Sequence, residues 1–582
     1  MKRYIEHMIR STERRVQHFL DIQVKDSNRK DYGAMPTEII EAKPTIYMLA
    51  NAVAVYCNEK STFHYSTQLY EAMDLALDFV RRCQREEGSF DYPSCNFKSA
   101  ADTSFCFKRL IAAYQLLVKY SKEAPEEQIK KLSHLQEKYR ILLYDALESI
   151  TIGGFHTPNH RWGISAALMQ GANLFPEHKL HNQIHVRLKQ YLDEGIDGNS
   201  EGEYAERSTG NYNAVVNNAM MAMYIESKDV TYLGYISRNL HMMLTYFDPD
   251  DTIFTQNSTR QDQGKADYPD KYFYQYLYMA SLYASEKMCG SKCAEQLIKQ
   301  DIMTDTLYHE FDAAAHKIIR DNMLRGDIAP ECLHIIMLHE EMMNYEFRGY
   351  GFLDMYRKYY EEAGVLRVKT PAYGYSLLRG KSNFLFLKIN ETLVYLKIGE
   401  SIGSVRTFIP EILEEKNGEY RLESIVQSKY YQPFTEKVDT TNWWKMDHSK
   451  RDILVSSELK ITVTVKELGE GLELRVASQG LDGVPLRLQF CVPADSIVEN
   501  DQFYLKATKG ESMILRNGYV QVHHNDNTIE IGPGFGTHQF QGHYSGEEFN
   551  DTGYTIFLNE YTPFEKVVTI KRKQSGGSNI PC

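Results

Sequence analysis

The sequence predicts an α-then-β multidomain chain: an N-terminal (α/α) toroid of about six helical hairpins followed by a C-terminal antiparallel β-sandwich domain. Three observations predict it. First, 582 residues exceed what one ordinary core accommodates, so two large domains are expected. Second, the residue texture changes along the chain. Up to about residue 345, segments such as LANAVAVY, CFKRLIAAYQLLVKY, ISAALMQGANLF, AVVNNAMMAMYI and FYQYLYMASLYASEKM carry apolar residues at helical spacing. Beyond about residue 365, NFLFLKI, TLVYLKIG, DILVSSELKITVTVKEL, LELRVASQ, LRLQFCV and KVVTIKRK are short, β-branched and aromatic, with turn residues between them. Third, helix starts recur near Pro44, Asp102, Pro158, Tyr212, Pro269 and Pro330, at intervals of 54 to 61 residues. That is the length of two helices with their connections, and six such hairpins in a ring make a toroid whose alternate helices line the centre.

The implied boundaries are a toroid over 1–345, a linker over 346–365, a β-sandwich over 366–574 and a disordered tail, SGGSNIPC, over 575–582. The charge balance, 66 Lys and Arg against 78 Asp and Glu, gives −12 and argues against nucleic acid or an anionic membrane as partner. No run of about 20 apolar residues is present to cross a bilayer. The opening MKRYIEHMIRSTERRVQHFL is charged throughout and reads as a surface helix, so a cytoplasmic protein is expected. Nine scattered cysteines form no CxxC pair, which suggests neither a disulfide framework nor a zinc site; Cys289 and Cys293 could share a helix face as reduced thiols.

Polar chemistry concentrates in the loops before three successive helices. The first, HTPNHRWGIS, brings Asn159, His160, Arg161 and Trp162. The second, DGNSEGEYAERSTGNYN, brings Glu203, Tyr204, Glu206, Arg207 and Tyr212. The third, TQNSTRQDQG, brings Gln256, Asn257, Arg260 and Asp262. From Asn159 to Tyr212 is 53 residues and from there to Arg260 is 48, about one hairpin each, so the three loops should be neighbours on one rim. Helix N-termini aim partial positive charge at that rim and favour a carboxylate or phenolate there. Each residue also has an ordinary structural role open to it: Asn159 as a helix cap, Glu206 and Arg207 as a solvated pair, Trp162 as core, and Tyr212 as one of 41 tyrosines. The conjunction and its spacing carry the argument.

A uronate-containing glycan is cut without hydrolysis by removing the C5 proton, alpha to the carboxylate, and expelling the C4 oxygen. Neutral or cationic donors such as Asn, His and Arg must stabilise the enolate-like intermediate, and a base must take the proton. Tyrosine, with a reference pKa of about 10, needs nearby cations and a helix N-terminus to serve as phenolate, and once protonated it can give its proton to the departing oxygen. This chemistry requires no metal or organic cofactor, and the sequence offers no metal motif or phosphate-cradling loop.

The toroid followed by antiparallel sheets, with an Asn-His loop and a Ser-x-x-x-Tyr loop (Ser208 to Tyr212) one hairpin later, resembles the heparinase II/III-like polysaccharide lyases; its architecture is also similar to the chondroitin AC and hyaluronate lyases. The resemblance implies β-elimination on an acidic poly- or oligosaccharide. It implies that Asn159 neutralises the uronate, that Tyr212 is base and acid, that Arg260 holds the carboxylate or tunes the tyrosine, and that His160 orients substrate or assists as base. Arg161, Trp162, Glu206, Arg207 and Asn257 are then expected around the substrate. The family's His-Gly-His-Ala-Asp-type segment early in the β-domain is missing; His448 in NWWKMDHSKRD is the substitute, with Trp443 and Trp444 able to stack on sugar rings, unless they are buried in the sandwich. Glu203 and Glu206 precede Tyr212 where chondroitin AC-like enzymes place a histidine, which favours tyrosine in both roles.

Two other readings compete. A toroid glycoside hydrolase, such as an unsaturated glucuronyl hydrolase, would need two carboxylates astride the bond, from Glu203, Glu206, Asp102 and Asp262. A glycan-binding protein would keep the architecture without the chemistry.

Overall fold

Helical hairpins, each pairing an apolar inner helix with an amphipathic outer one, make up the first half of the chain. The structure, a computed structural model, describes residues 1–289, 292–537 and 546–573, with side chains at 289–294 excluded. The expected tail 575–582 and the Cys289/Cys293 pair therefore lie outside the described residues. Contacts divide the chain into two compact units, 1–247 with 252–353, and 248–251 with the chain from 354 onward.

In the first unit α1 (Lys2–Ile22) is followed by α2 (Lys43–Cys57) and α3 (Thr67–Cys83), α4 (Ala100–Ser121) and α5 (Glu126–Ile152), α6 (Pro158–Leu174) and α7 (His181–Leu192), and α8 (Tyr212–Ser227) and α9 (Thr231–Leu244). Then come α10 (Phe273–Cys289), α11 (Lys292–Lys299), α12 (Asp305–Arg325) and the single turns α13 (Leu333–Ile336) and α14 (Glu340–Met343). The two helices of a hairpin differ in pattern. Inner α2 is buried almost without a break from Met48 to Cys57, whereas outer α3 buries the stripe Leu69, Ala72, Met73, Ala76, Leu77 and Val80. A helix apolar all round must be surrounded; one with a stripe can face solvent. Prolines sit in the first turns of α2 and α6, and Ser66, Ser99 and Thr304 cap α3, α4 and α12 through their hydroxyls.

Neighbouring inner helices pack in sequence, α2 on α4, α4 on α6 and α6 on α8. Gln275 of α10 bridges to α8 by donating to the Ala214 carbonyl at 2.9 Å. The sixth expected hairpin is where the structure departs from the repeat. The segment after Pro330 forms only α13 and α14, and the outer position is taken by the first helix, α1, which packs on α2, α12 and α13. Arg15 donates to the Ala329 carbonyl at 2.6 Å and Ser11 accepts from the Ala329 amide at 3.0 Å, so first and last helices close the ring.

The second unit holds two sheets. One runs, in spatial order, Ser512–Ile514, Tyr554–Tyr561, Pro485–Val492, Thr392–Ile402, Leu385–Ile389, Gly374–Leu378, Val365–Lys369 and Tyr356–Tyr360, with Val405–Thr407 on the side of Thr392–Ile402. The other runs Phe503–Lys506, Ile497–Asn500, Val520–His524, Asn527–Gly532, Phe564–Arg572, Gly471–Gly480, Ile453–Leu468, Glu419–Tyr431 and Ile412–Lys416. Among the described residues every pairing is antiparallel except Ser512–Ile514 with Tyr554–Tyr561. Ile461, Val463 and Val465 are buried while Thr462 and Thr464 between them are not, the period of two that turns one face of a strand inward. Those residues share one apolar cluster with Leu377, Leu387, Leu396 and Leu488 of the opposite sheet. The expected linker 346–365 is partly strand: Tyr356–Tyr360 pairs with Val365–Lys369, and the boundary falls at 353/354.

Gly88, in the turn after α3, has φ +83°, and a Cβ there would lie 1.8 Å from the Asp145 carbonyl oxygen on α5. Gly88→Ala should cost about 1–3 kcal/mol from backbone strain alone, read as a lowered midpoint in urea unfolding.

Candidate active site

Helix starts define one rim of the ring. Lys43 opens α2, Asn159 and His160 lie in the first turn of α6, and Tyr212 is the first residue of α8. All four line a cavity of about 910 Å³ together with Arg260 and Gln261. The cavity is basic although the chain is acidic: its lining includes Lys43, Lys108, Arg109, Arg260 and Lys271 against Asp102, Asp270 and Glu331.

Buried acids tie the three expected loops together. Glu206, 6% exposed, accepts from the Asn159 amide N–H at 2.9 Å and from its Nδ2 at 2.9 and 2.8 Å, and faces Arg260 Nε at 3.4 Å. Its own carbonyl accepts from the Thr259 hydroxyl at 2.9 Å. Asp262 accepts from the Ser208 and Ser258 hydroxyls at 2.9 and 2.6 Å and from the Gly210 amide at 2.9 Å. Ser208 in turn accepts from the Tyr212 amide at 3.0 Å, fixing the start of α8. Glu203 accepts from Asn257 Nδ2 at 2.7 Å and pairs with Arg207. A carboxylate withdrawn from water must be matched by donors, so these contacts hold loop to loop firmly.

Tyr212 keeps its hydroxyl at the cavity wall, where Gln261 Nε2 donates to it at 2.6 Å. The Arg260 guanidinium sits 5.1 Å from the centre of its ring. A donor therefore meets the phenol oxygen while a cation lies over the ring. His160 packs edge-on to Phe105 and His156, at 5.8 and 4.6 Å between ring centres. Burial first, then His156, push its pKa down to about 4, so the imidazole is neutral at neutral pH. Lys43 bonds Asp102 at 2.9 Å; burial works against its charge, but Tyr47 and Asp102 outweigh it and raise its pKa, while the Asp102 carboxyl, despite burial, is held low by Lys43.

Several expected substrate contacts take structural posts instead. Asn159 is fully buried with its amide nitrogen committed to Glu206, so in this arrangement it braces the loop and does not present N–H to a ligand. Arg161, 2% exposed, bonds Glu194, the Gly195 carbonyl and Asp197 and stacks 4.3 Å from the Trp162 ring, while Trp162 donates to Asp197 at 3.2 Å. These two side chains of α6 turn away from the cavity because the buried guanidinium and indole N–H find their acceptors in the 194–197 loop. Glu206 and Asn257 are buried in loop contacts, and Arg207, at φ +50°, pairs with Glu203. Trp443, Trp444 and His448 belong to the second unit, in short 3-10 turns, with Trp444 91% exposed; they are not sandwich core. Sequence reasoning missed Lys43, Lys108, Arg109 and Gln261. Lys43 could have been found by reading the helix start at Pro44 as it was read at Pro158; Gln261 by reading one residue past Arg260.

Among the described residues no group of three or more His, Cys, Asp or Glu is placed to hold a metal ion, and no helix is long and apolar enough to cross a membrane.

No protein-family model matches the sequence, and no curated protein sequence matches it. Solved structures do, and the chain shares with them a fold in which a helical toroid is followed by antiparallel sheets. It is similar to a Paenibacillus xanthan lyase, at 11% identity and TM-score 0.54 over 98% of this chain and 57% of that one. It is similar to heparinase III, at 11% identity and TM-score 0.51 over 97% and 85%. A Streptomyces coelicolor chondroitin AC lyase, solved with chondroitin sulphate, matches at 9% identity and TM-score 0.51 over 99% and 80%.

Glu206→Gln would set an amide N–H₂ against the donors of Asn159 and remove the charge facing Arg260. A loss of about 1.5–3 kcal/mol is expected from the charged hydrogen bonds, measured by chemical denaturation. His160, whose pKa is lowered from 6.5 to about 4, contributes stability that is complete above pH 6.5 and is lost as pH falls toward 4. His160→Gln should flatten the dependence of Tm on pH across that window.

Proposed function

We propose that the protein is a lyase that cleaves a uronate-containing poly- or oligosaccharide by β-elimination, with Tyr212 as base and acid. One observation carries this reading: a tyrosine hydroxyl at the wall of a basic cavity, receiving a hydrogen bond from Gln261 while Arg260 lies over its ring. The fold it shares with a xanthan lyase, heparinase III and a chondroitin AC lyase supports the same reading.

On this reading the uronate carboxylate lies against Arg260 and the neutral His160, both of which line the cavity. Ionised Tyr212 takes the C5 proton; the C5–H electrons form the C4–C5 double bond as the C4–oxygen bond breaks. The protonated phenol then gives that proton to the departing oxygen, which leaves as a hydroxyl, and Tyr212 returns to its ionised form. The Gln261 hydrogen bond lowers the cost of the phenolate in both halves of the cycle. Asn159 contributes by bracing Glu206, and through it Arg260.

The hydrolase reading loses support from the same geometry. Of its four nominated carboxylates, Glu203, Glu206 and Asp262 are consumed by loop contacts, and Asp102 is paired with Lys43. Two free carboxyls astride a bond are not found among them.

The test is absorbance from the conjugated unsaturated uronate, followed over a panel of uronate glycans. The wild-type chain should generate signal on at least one member. Tyr212→Phe should lower kcat by about 10²–10⁴-fold, the usual worth of a positioned proton-transfer group, with KM little changed. Gln261→Leu should lower kcat about tenfold, one hydrogen bond to the ionised phenol. Signal undiminished in Tyr212→Phe, or hydrolysis products without the chromophore, would refute the reading.

A further inference from the structure

Below the rim the cavity has a second basic wall that the elimination chemistry does not use. Lys108 and Arg109 lie on α4 six and seven residues beyond Asp102, about 9–10 Å further along the helix axis. Asn218, six residues into α8 from Tyr212, and Tyr274 of α10 line the same cavity and are hydrogen-bonded to each other.

The charges at this level do not cancel. Lys108 has no hydrogen-bond or ion-pair partner among the described residues, and its pKa is pushed down to about 7 by burial and by the adjacent Arg109. Arg109 bonds His334 Nε2 at 2.8 Å and lies 4.8 Å from the centre of the Tyr47 ring. His334 is 1% exposed, and burial with the two neighbouring cations holds its pKa well below the ordinary value. It is therefore a neutral acceptor, which orients the guanidinium without neutralising it. The nearby carboxylates are engaged elsewhere: Glu331 with Arg15, Asp270 with Asn322 and Arg325, and Asp102 with Lys43. Arg109, oriented by a neutral ring, and the partnerless Lys108, only partly charged near neutral pH, would both gain from an anion between them, which would restore the lysine's charge.

We propose that Lys108 and Arg109, with Asn218 and Tyr274 beside them, form a second anion subsite that takes the sulfate or carboxylate of a sugar neighbouring the cleaved uronate. The substrate class this defines is an oligosaccharide with acidic groups on successive sugars. The inference rests on the elimination reading for the sugar at Tyr212, but its own evidence is the uncompensated pair.

The test uses the full-length Tyr212→Phe chain and three tetrasaccharides: unsulfated chondroitin, 6-sulfated chondroitin, and oligogalacturonate with a carboxylate on every sugar. Calorimetric Kd values should favour at least one of the two more highly charged ligands over unsulfated chondroitin by about tenfold, the worth of one charge-assisted contact. Whichever is preferred identifies sulfate or carboxylate. Lys108→Met and Arg109→Met should each bring that ratio close to one, and Lys108→Arg should restore it. Thermal unfolding of the Met variants checks their fold, and Lys108→Gln and Arg109→Gln replace any that does not fold. No preference in the Tyr212→Phe parent, undetectable binding of all three ligands, or a preference untouched by the Lys108 and Arg109 substitutions overturns the subsite. The elimination reading is judged separately, by wild-type absorbance: a preserved preference without turnover sinks that reading and leaves the subsite standing.

Discussion

The candidate site depends on where its negative charge is spent. Three hairpins deliver three loops to one rim, and nothing in the helices themselves would hold those loops in register. The buried Glu206 and Glu203 and the partly buried Asp262 do so, each accepting a hydrogen bond from a neighbouring loop. A buried carboxylate without donors is costly, so the loops are stable only when they meet. The same arrangement keeps these three acids out of the cavity lining, where Lys43, Lys108, Arg109, Arg260 and Lys271 stand against Asp102, Asp270 and Glu331. A chain of net charge −12 thereby presents a basic interior.

The architecture was largely legible because it is a matter of spacing. Helix starts near Pro44, Asp102, Pro158, Tyr212 and Pro269 fall at α2, α4, α6, α8 and the turn into α10. The repeat failed at Pro330, since the residues beyond it make two single turns whose apolar side chains, Leu333, Ile336 and Met342, imitate a hairpin too short to form one. The strand Tyr356–Tyr360 was read as linker because YRKYY buries only its ends and carries two charges between.

The site was legible at the level of loops and much less so for single side chains. Spacing brought Asn159, His160, Tyr212 and Arg260 to one cavity. It could not say that Asn159 would be given to Glu206, or that Arg161 and Trp162, adjacent in sequence to His160, would turn to the 194–197 loop. Those outcomes depend on which acceptors other loops supply. Lys108 and Arg109 sit inside a helical apolar pattern, where a pair of cations reads as an ordinary solvated edge. Only the ring geometry turns that edge inward. Similar folds persist at about 10% identity for a related reason: the ring asks for an apolar inner helix every 55 residues or so, while the connecting loops are free to vary.

The joining of α1 to α13 has a bearing on how the protein is made. A ribosome releases α1 some 300 residues before the Pro330–Cys332 segment, and that segment supplies part of the cavity wall. Hairpins can form one after another as they emerge, yet the nascent chain holds its first helix without a final neighbour until synthesis has passed residue 336. The cavity's complete wall is thus a property acquired at ring closure, and shortened translation products ending before it would carry Tyr212, Arg260 and Lys108 on an open arc.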